Sequence, residues 1–199
     1  MLCAIEFLFL WEYLYPREKL MTTQLDFSTL NLQDALDLAV LIEKEAEERY
    51  LLFADHLGQR YPGDAANFFT MMARNEQRHG TEITERRRLI FGDTPSRVTA
   101  NMIGNDIEAP DTGKAIRYMS PRQALEVSLE SEIKAYKFYD RILQVIQNDE
   151  VQELIKSLRD EEAEHQQLLN EQKAKYHDTL EPDFDPEIDE LPFHRIRES

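Results

Sequence analysis

From Asn31 onward, apolar residues recur at steps of three and four, the period of a helix that buries one face. Leu36, Val40, Glu43, Glu47, Tyr50 and Ala54 mark a first stripe, running to about Leu57. Asn31 stands where an N-cap is needed, with Asp34 in the first turn. Gly58-Gln59-Arg60-Tyr61-Pro62-Gly63 breaks the period, and Asp64 is placed to cap a second helix. Its stripe is Ala65, Phe69, Met72, Glu76, His79 and Ile83, continuing to about Ile90. So short a connection predicts an antiparallel hairpin.

Residues 91 to 119 carry no period and contain Gly92, Pro95, Gly104, Pro110 and Gly113. Ser120-Pro121-Arg122-Gln123 then gives a start signal: a Ser cap, Pro at the first helical position, and Gln set for a capping box. The third stripe is Leu125, Leu129, Glu132, Ala135, Tyr139, Leu143 and Ile146. Asn148-Asp149 turns the chain into a fourth helix, with Val151, Ile155, Leu158, Glu162, His165 and Leu169 on its stripe. Two hairpins joined by a connection of roughly thirty residues predict an all-α four-helix bundle with one long crossover.

The ends fall outside this pattern. Residues 1–30 read as an N-terminal extension, 31–176 as the bundle and 177–199 as an extended acidic tail. Leu2 to Tyr15 is largely apolar but interrupted by Glu6 and Glu12, and it is too short to span a bilayer. It reads as an arm that packs on a neighbouring subunit, as an interfacial segment, or as residues upstream of a start at Met21.

Composition narrows the function. The 199 residues, 42% of them hydrophobic, suit a single domain with a sizeable core. A formal charge of −16 argues against nucleic acid and against an anionic membrane surface as partners. The single cysteine, Cys3, allows no internal disulfide and no four-thiolate metal site, and fits a reducing, cytoplasmic setting.

The chemistry lies inside the stripes. Each of the four helices places an acidic residue among its apolar positions: Glu43, Glu76, Glu132 and Glu162. Two of these have a histidine one turn on, in Glu76-x-x-His79 and Glu162-x-x-His165, a spacing that brings both side chains to one ion. Any one such Glu reads equally well as a solvated stripe edge. Four at mid-helix do not, because burying four unpaired carboxylates would cost more than a domain's net stability. Two divalent cations would balance four carboxylates, which points to a dinuclear site. The halves also echo each other. Glu43, Ala46 and Tyr50 return as Glu132, Ala135 and Tyr139 at an offset of 89, and Glu76 and His79 return as Glu162 and His165 at 86. Carboxylate and imidazole ligands suit Fe, Mn or Zn.

On these residues the chain resembles the rubrerythrin-like branch of the ferritin-like di-iron carboxylate superfamily, over about Asn31 to Tyr176. The resemblance rests on Glu43 with Tyr50, Glu76-x-x-His79, Glu132 with Phe138-Tyr139, and Glu162-x-x-His165. It implies a ferritin-like bundle holding two iron ions. Glu76 and Glu162 would bridge them, Glu43 and His79 completing one and Glu132 and His165 the other. Tyr50 and Tyr139 would donate hydroxyl hydrogen bonds to the carboxylates from just behind them; aromatic core filling accounts for each equally well. Two departures stand out. Rubrerythrins proper carry a further carboxylate one turn after the third-helix Glu, where this chain has Ala135. They also usually carry a four-cysteine rubredoxin domain, which a chain with one cysteine lacks, so electrons would come from an external electron-transfer protein.

The remaining polar residues have plainer readings. Glu47 reads as a solvated helix edge, and His56, His177 and His194 as surface residues without ligand spacing. Arg86-Arg87-Arg88 complements the helix dipole at the end of the second helix. Phe68-Phe69 and Met71-Met72 read as core. The function expected is reduction of peroxide or dioxygen at a di-iron centre in a homo-oligomer, dimer or larger. The alternatives are a ferroxidase serving iron storage or detoxification, and a metal-stabilised interaction bundle without turnover.

Overall fold

Each helix starts at the residue whose side chain can replace the missing first turn of hydrogen bonds. Asn31 accepts from the Asp34 N–H while the Asp34 carboxylate accepts from the Asn31 N–H, and Ser120 and Gln123 form the same reciprocal box. Asp64 and Asn148 accept from Asn67 and Val151. The helices of this computed structural model are α1 (Leu32–Leu57), α2 (Ala65–Phe91), α3 (Pro121–Leu143) and α4 (Asp149–Lys173). Single 3-10 turns occur at Phe27–Thr29 and Ala100–Met102, and the described residues contain no strand. α1 and α2 stop at Gly58 and Gly92, whose φ of 63° and 59° suits a residue without Cβ.

The structure describes residues 25–58, 63–104, 107–115 and 119–175. The apolar N-terminal run, the C-terminal tail, His177 and His194 lie outside the described residues.

α1 packs along α2 and α3 along α4, with α2–α3 and α1–α4 contacts closing the bundle. This is the all-α, ferritin-like four-helix architecture. The core is divided in two. One apolar cluster gathers Phe53, Phe69, Leu125 and Leu169, from the end of α1, the start of α2, the start of α3 and the end of α4. The other gathers Leu36, Ile83, Ile142 and Ile155, from the opposite end of each helix. α2 and α3 therefore run in the same direction, and the crossover must travel the length of the bundle between them. It does so with Val98 and Ile107 in the second cluster and Ala109 and Met119 in the first.

Ion pairs and hydrogen bonds fasten the crossover along its course. Arg97 pairs with the buried Asp34, Gln33 donates to the Pro95 carbonyl at 3.0 Å, and Arg87, paired with Asp37 on α1, donates to the Gly92 carbonyl at 2.8 Å. Further on, Arg49 donates to the Pro110 carbonyl at 2.7 Å. Lys134 donates to the Ala109 carbonyl and to Asp111, each at 2.7 Å.

The helical stripes differ from the sequence reading only at their margins. Val40, Glu47, Ala54, Leu129 and Leu143 are half-buried, whereas Ala35, Ala39, Ala46 and Ala124 are buried. Ile146 is buried but lies past the end of α3, in the turn to α4. Asp34 and Asp37 are buried through their arginine partners, which pattern alone does not reveal.

Candidate metal centre

Between the two apolar clusters lies a polar layer. Glu43 comes from α1, Glu76 and His79 from α2, Glu132 from α3, and Glu162 and His165 from α4; all six are buried. They form two groups, Glu43 with Glu76 and His79, and Glu132 with Glu162 and His165, each offering three ligand atoms within 4.8 Å of one another. Each group belongs to one hairpin. In the first, His79 Nδ1 lies 3.8 Å from Glu43 and 3.7 Å from Glu76. In the second, His165 Nδ1 lies 3.2 Å from Glu132 and 3.5 Å from Glu162. The imidazoles of the two groups stack with centroids 5.2 Å apart and planes 10° from parallel. Gly80 helps α1 and α2 close here, since a Cβ on it would stand 3.4 Å from that of Glu43.

The electrostatics are those of a carboxylate cluster held in a dry interior. Burial, then the charge of Glu108, then further carboxylates push Glu43, Glu76 and Glu162 well above the usual carboxylate range. Burial also raises Glu132, but the hydrogen bond and charge of His165, with Glu162 and His79, together outweigh this and leave it low. His165 is correspondingly raised: burial lowers it, and the Glu132 interaction more than compensates. Burial and the neighbouring His165 charge bring His79 down to about 3, so it presents a neutral imidazole at physiological pH.

One oxygen of each stripe carboxylate remains buried without a hydrogen-bond partner: Glu43 Oε2, Glu76 Oε2, Glu132 Oε1 and Glu162 Oε2. Unsatisfied buried oxygens on several neighbouring carboxylates are costly in themselves and are satisfied by cations. The donor set fits two metal ions, one per group.

Tyr50 and Tyr139 are wholly buried, with hydroxyls lacking a hydrogen-bond partner. Burial, then Glu132 and Glu76, keep the Tyr50 phenol protonated, and burial, then Glu108, Glu43 and Glu162, do the same for Tyr139. Both hydroxyls thus lie in the field of the cluster. Tyr50 also stacks on Phe69, with centroids 5.9 Å apart, so it fills core as well. Glu47 stays at the helix edge, accepting from Gln77 at 2.9 Å, and His56 is exposed.

The helical stripes gave no sign of Glu108. It sits in the crossover and is 1% exposed; burial, then the charge of Glu132, push it up to about 8, against a lowering influence of the neighbouring Glu76. The available signal was local: an acidic residue flanked by Ile107, Ala109 and Pro110 in the connection. Glu161, half-buried beside Glu162, is raised to about 7, chiefly by burial.

Fold and site together define a ferritin-like bundle with a buried carboxylate and histidine centre suited to two metals. The sequence model of the rubrerythrin family matches residues 34–173, and the chain belongs to that family. Among solved structures it is similar to an uncharacterised conserved protein from Magnetospirillum magnetotacticum MS-1, at 28% identity and a TM-score of 0.56. That match covers 75% of this chain and 98% of the other. No match was found among curated proteins. Among the described residues, no helix is long and apolar enough to cross a membrane.

Proposed function

We propose that this protein is a di-iron oxidoreductase that reduces hydrogen peroxide, or dioxygen, with electrons from an external electron-transfer protein. The observation that carries the reading is the pair of buried Glu, Glu and His groups, one per hairpin, whose imidazoles stack at 5.2 Å. Glu43, Glu76 and His79 would hold one ion, Glu132, Glu162 and His165 the other, with Glu76 and Glu162 shared between them. With iron bound, the centre supplies the two electrons that convert one peroxide and two protons into two waters. Manganese or zinc also suits the donors, but zinc has no redox chemistry to offer.

The chain's own residues prepare the site. His79 stays neutral and so keeps a nitrogen lone pair for a ligand bond. The apolar clusters on either side exclude bulk water. Tyr50 and Tyr139 keep their phenolic protons and offer hydroxyls beside the carboxylates. Glu161, near neutrality in its titration, stands at the flank of Glu162, where a proton could be held. The setting we assign is cytoplasmic, in keeping with one cysteine in 199 residues. Leu51 and Leu52 on α1, with Leu89 and Ile90 on α2, are exposed apolar residues that suit a homo-oligomer, dimer or larger.

The test is stopped-flow oxidation of the diferrous protein by peroxide and by dioxygen, followed by an iron count after aerobic loading. A peroxide reductase consumes about one peroxide per iron pair, faster than dioxygen, and retains its two irons. Dioxygen outpacing peroxide, or iron rising well past two per chain, would assign the protein instead as a ferroxidase that stores or detoxifies iron.

A further inference from the structure

The crossover brings a fifth carboxylate to the plane of the metal centre, and the stripes of the four helices do not account for it. Ile107 is packed in one apolar cluster and Ala109 in the other, so Glu108 lies where the strap crosses the polar layer between them. It is 1% exposed and leaves its Oε2 buried without a partner. Glu43 Oε2 and Glu76 Oε2 of one hairpin and Glu162 Oε2 of the other are likewise buried without partners in that layer.

Its position is built. Arg49 on α1 holds the Pro110 carbonyl, and Lys134 on α3 holds both the Ala109 carbonyl and Asp111. Three charge-assisted hydrogen bonds on the three residues after Glu108 fix the backbone that carries it. A surface loop has no need to turn a carboxylate inward, and doing so without a cation is unfavourable. α3 meanwhile offers only the buried methyl group of Ala135 one turn after Glu132.

We propose that Glu108 is a fifth carboxylate ligand of the dinuclear centre, delivered by the crossover rather than by a helix. The inference rests on the dinuclear reading above. It makes the strap part of the metal site, so that filling the site and docking the strap are one equilibrium.

The test uses the full chain with Co(II) as the probe. Wild type takes up two Co(II) per chain, and loading slows tryptic cleavage in the crossover at the exposed Lys114 side. The near-isosteric Glu108→Gln leaves helicity unchanged but weakens at least one Co(II) site about 10- to 100-fold and alters its d–d spectrum. In that variant metal no longer slows cleavage. Lys134→Ala, which leaves Glu108 intact but frees the strap, weakens Co(II) binding in the same direction. If Glu108→Gln binds two Co(II) with wild-type affinity and spectrum, and metal still protects the crossover, the assignment of Glu108 is overturned. Wild type that takes up fewer than two Co(II) overturns the dinuclear reading itself.

Discussion

His79 and His165 face each other at 5.2 Å with nearly parallel rings, yet they titrate in opposite directions. Only one of two adjacent buried imidazoles carries a proton readily, and the hydrogen bond to Glu132 gives it to His165. A metal ion competes with a proton held more tightly at His165 than at His79. Metal uptake should therefore be pH-dependent, with two unequal steps.

Replacing Glu162 by Ala tests the sharing of ligands. Because the proposed centre uses Glu162 for both ions, the variant should lose occupancy at both positions rather than at one. Metal analysis after dialysis against a weak chelator reads this directly; full retention of either ion would show that Glu162 serves only its own hairpin.

Acidity acts on the metal-stripped protein in an unusual direction. Glu43, Glu76 and Glu162 are raised well above the ordinary range, and Glu108 to about 8. A carboxyl raised on folding binds its proton more tightly in the native state. Its contribution is fully present below the unfolded value near 4.5 and is lost as pH rises through the folded one. After chelation, the thermal midpoint should be lower at pH 9 than at pH 6. Metal-loaded protein should show little of this loss. Circular dichroism melts of both forms across that range provide the comparison.

The capping box at α1 has a second duty. Asp34 satisfies the Asn31 N–H and also pairs with Arg97 of the crossover, whereas Asn31 serves only the cap. Asn31→Ala should cost about 1 kcal/mol and Asp34→Ala about 2 kcal/mol in urea denaturation. For a chain of this size each ~1 kcal/mol corresponds to about 2–4 °C in midpoint.

A chain trimmed to residues 21–176 should fold and bind two metals. The described core and all six stripe ligands lie within it. Failure of the trimmed chain to take up metal would place the terminal segments inside the working unit.

Much of this architecture was legible because it rests on local signals. Asn31, Asp64, Ser120 and Asn148 announce the helix starts, and their side chains make the expected bonds to the following backbone. Acidic residues at apolar stripe positions foretold the convergence of Glu43, Glu76, Glu132 and Glu162 at one level, because a helical period fixes both face and height. Glu108 was illegible for the complementary reason: no period governs the crossover, and its depth is set by Arg49 and Lys134, 59 and 26 residues away in sequence. The burial of Asp34 and Asp37 likewise depends on distant arginines.

The strap has a consequence for symmetry. Each hairpin contributes one Glu, one Glu-x-x-His pair and one tyrosine, the inventory of two equal copies facing across a twofold axis. Glu108 has no counterpart in the second half among the described residues. It adds to the inequivalence that the opposite titration of His79 and His165 already sets. One ion should be the harder to remove, and the two should change oxidation state at different potentials.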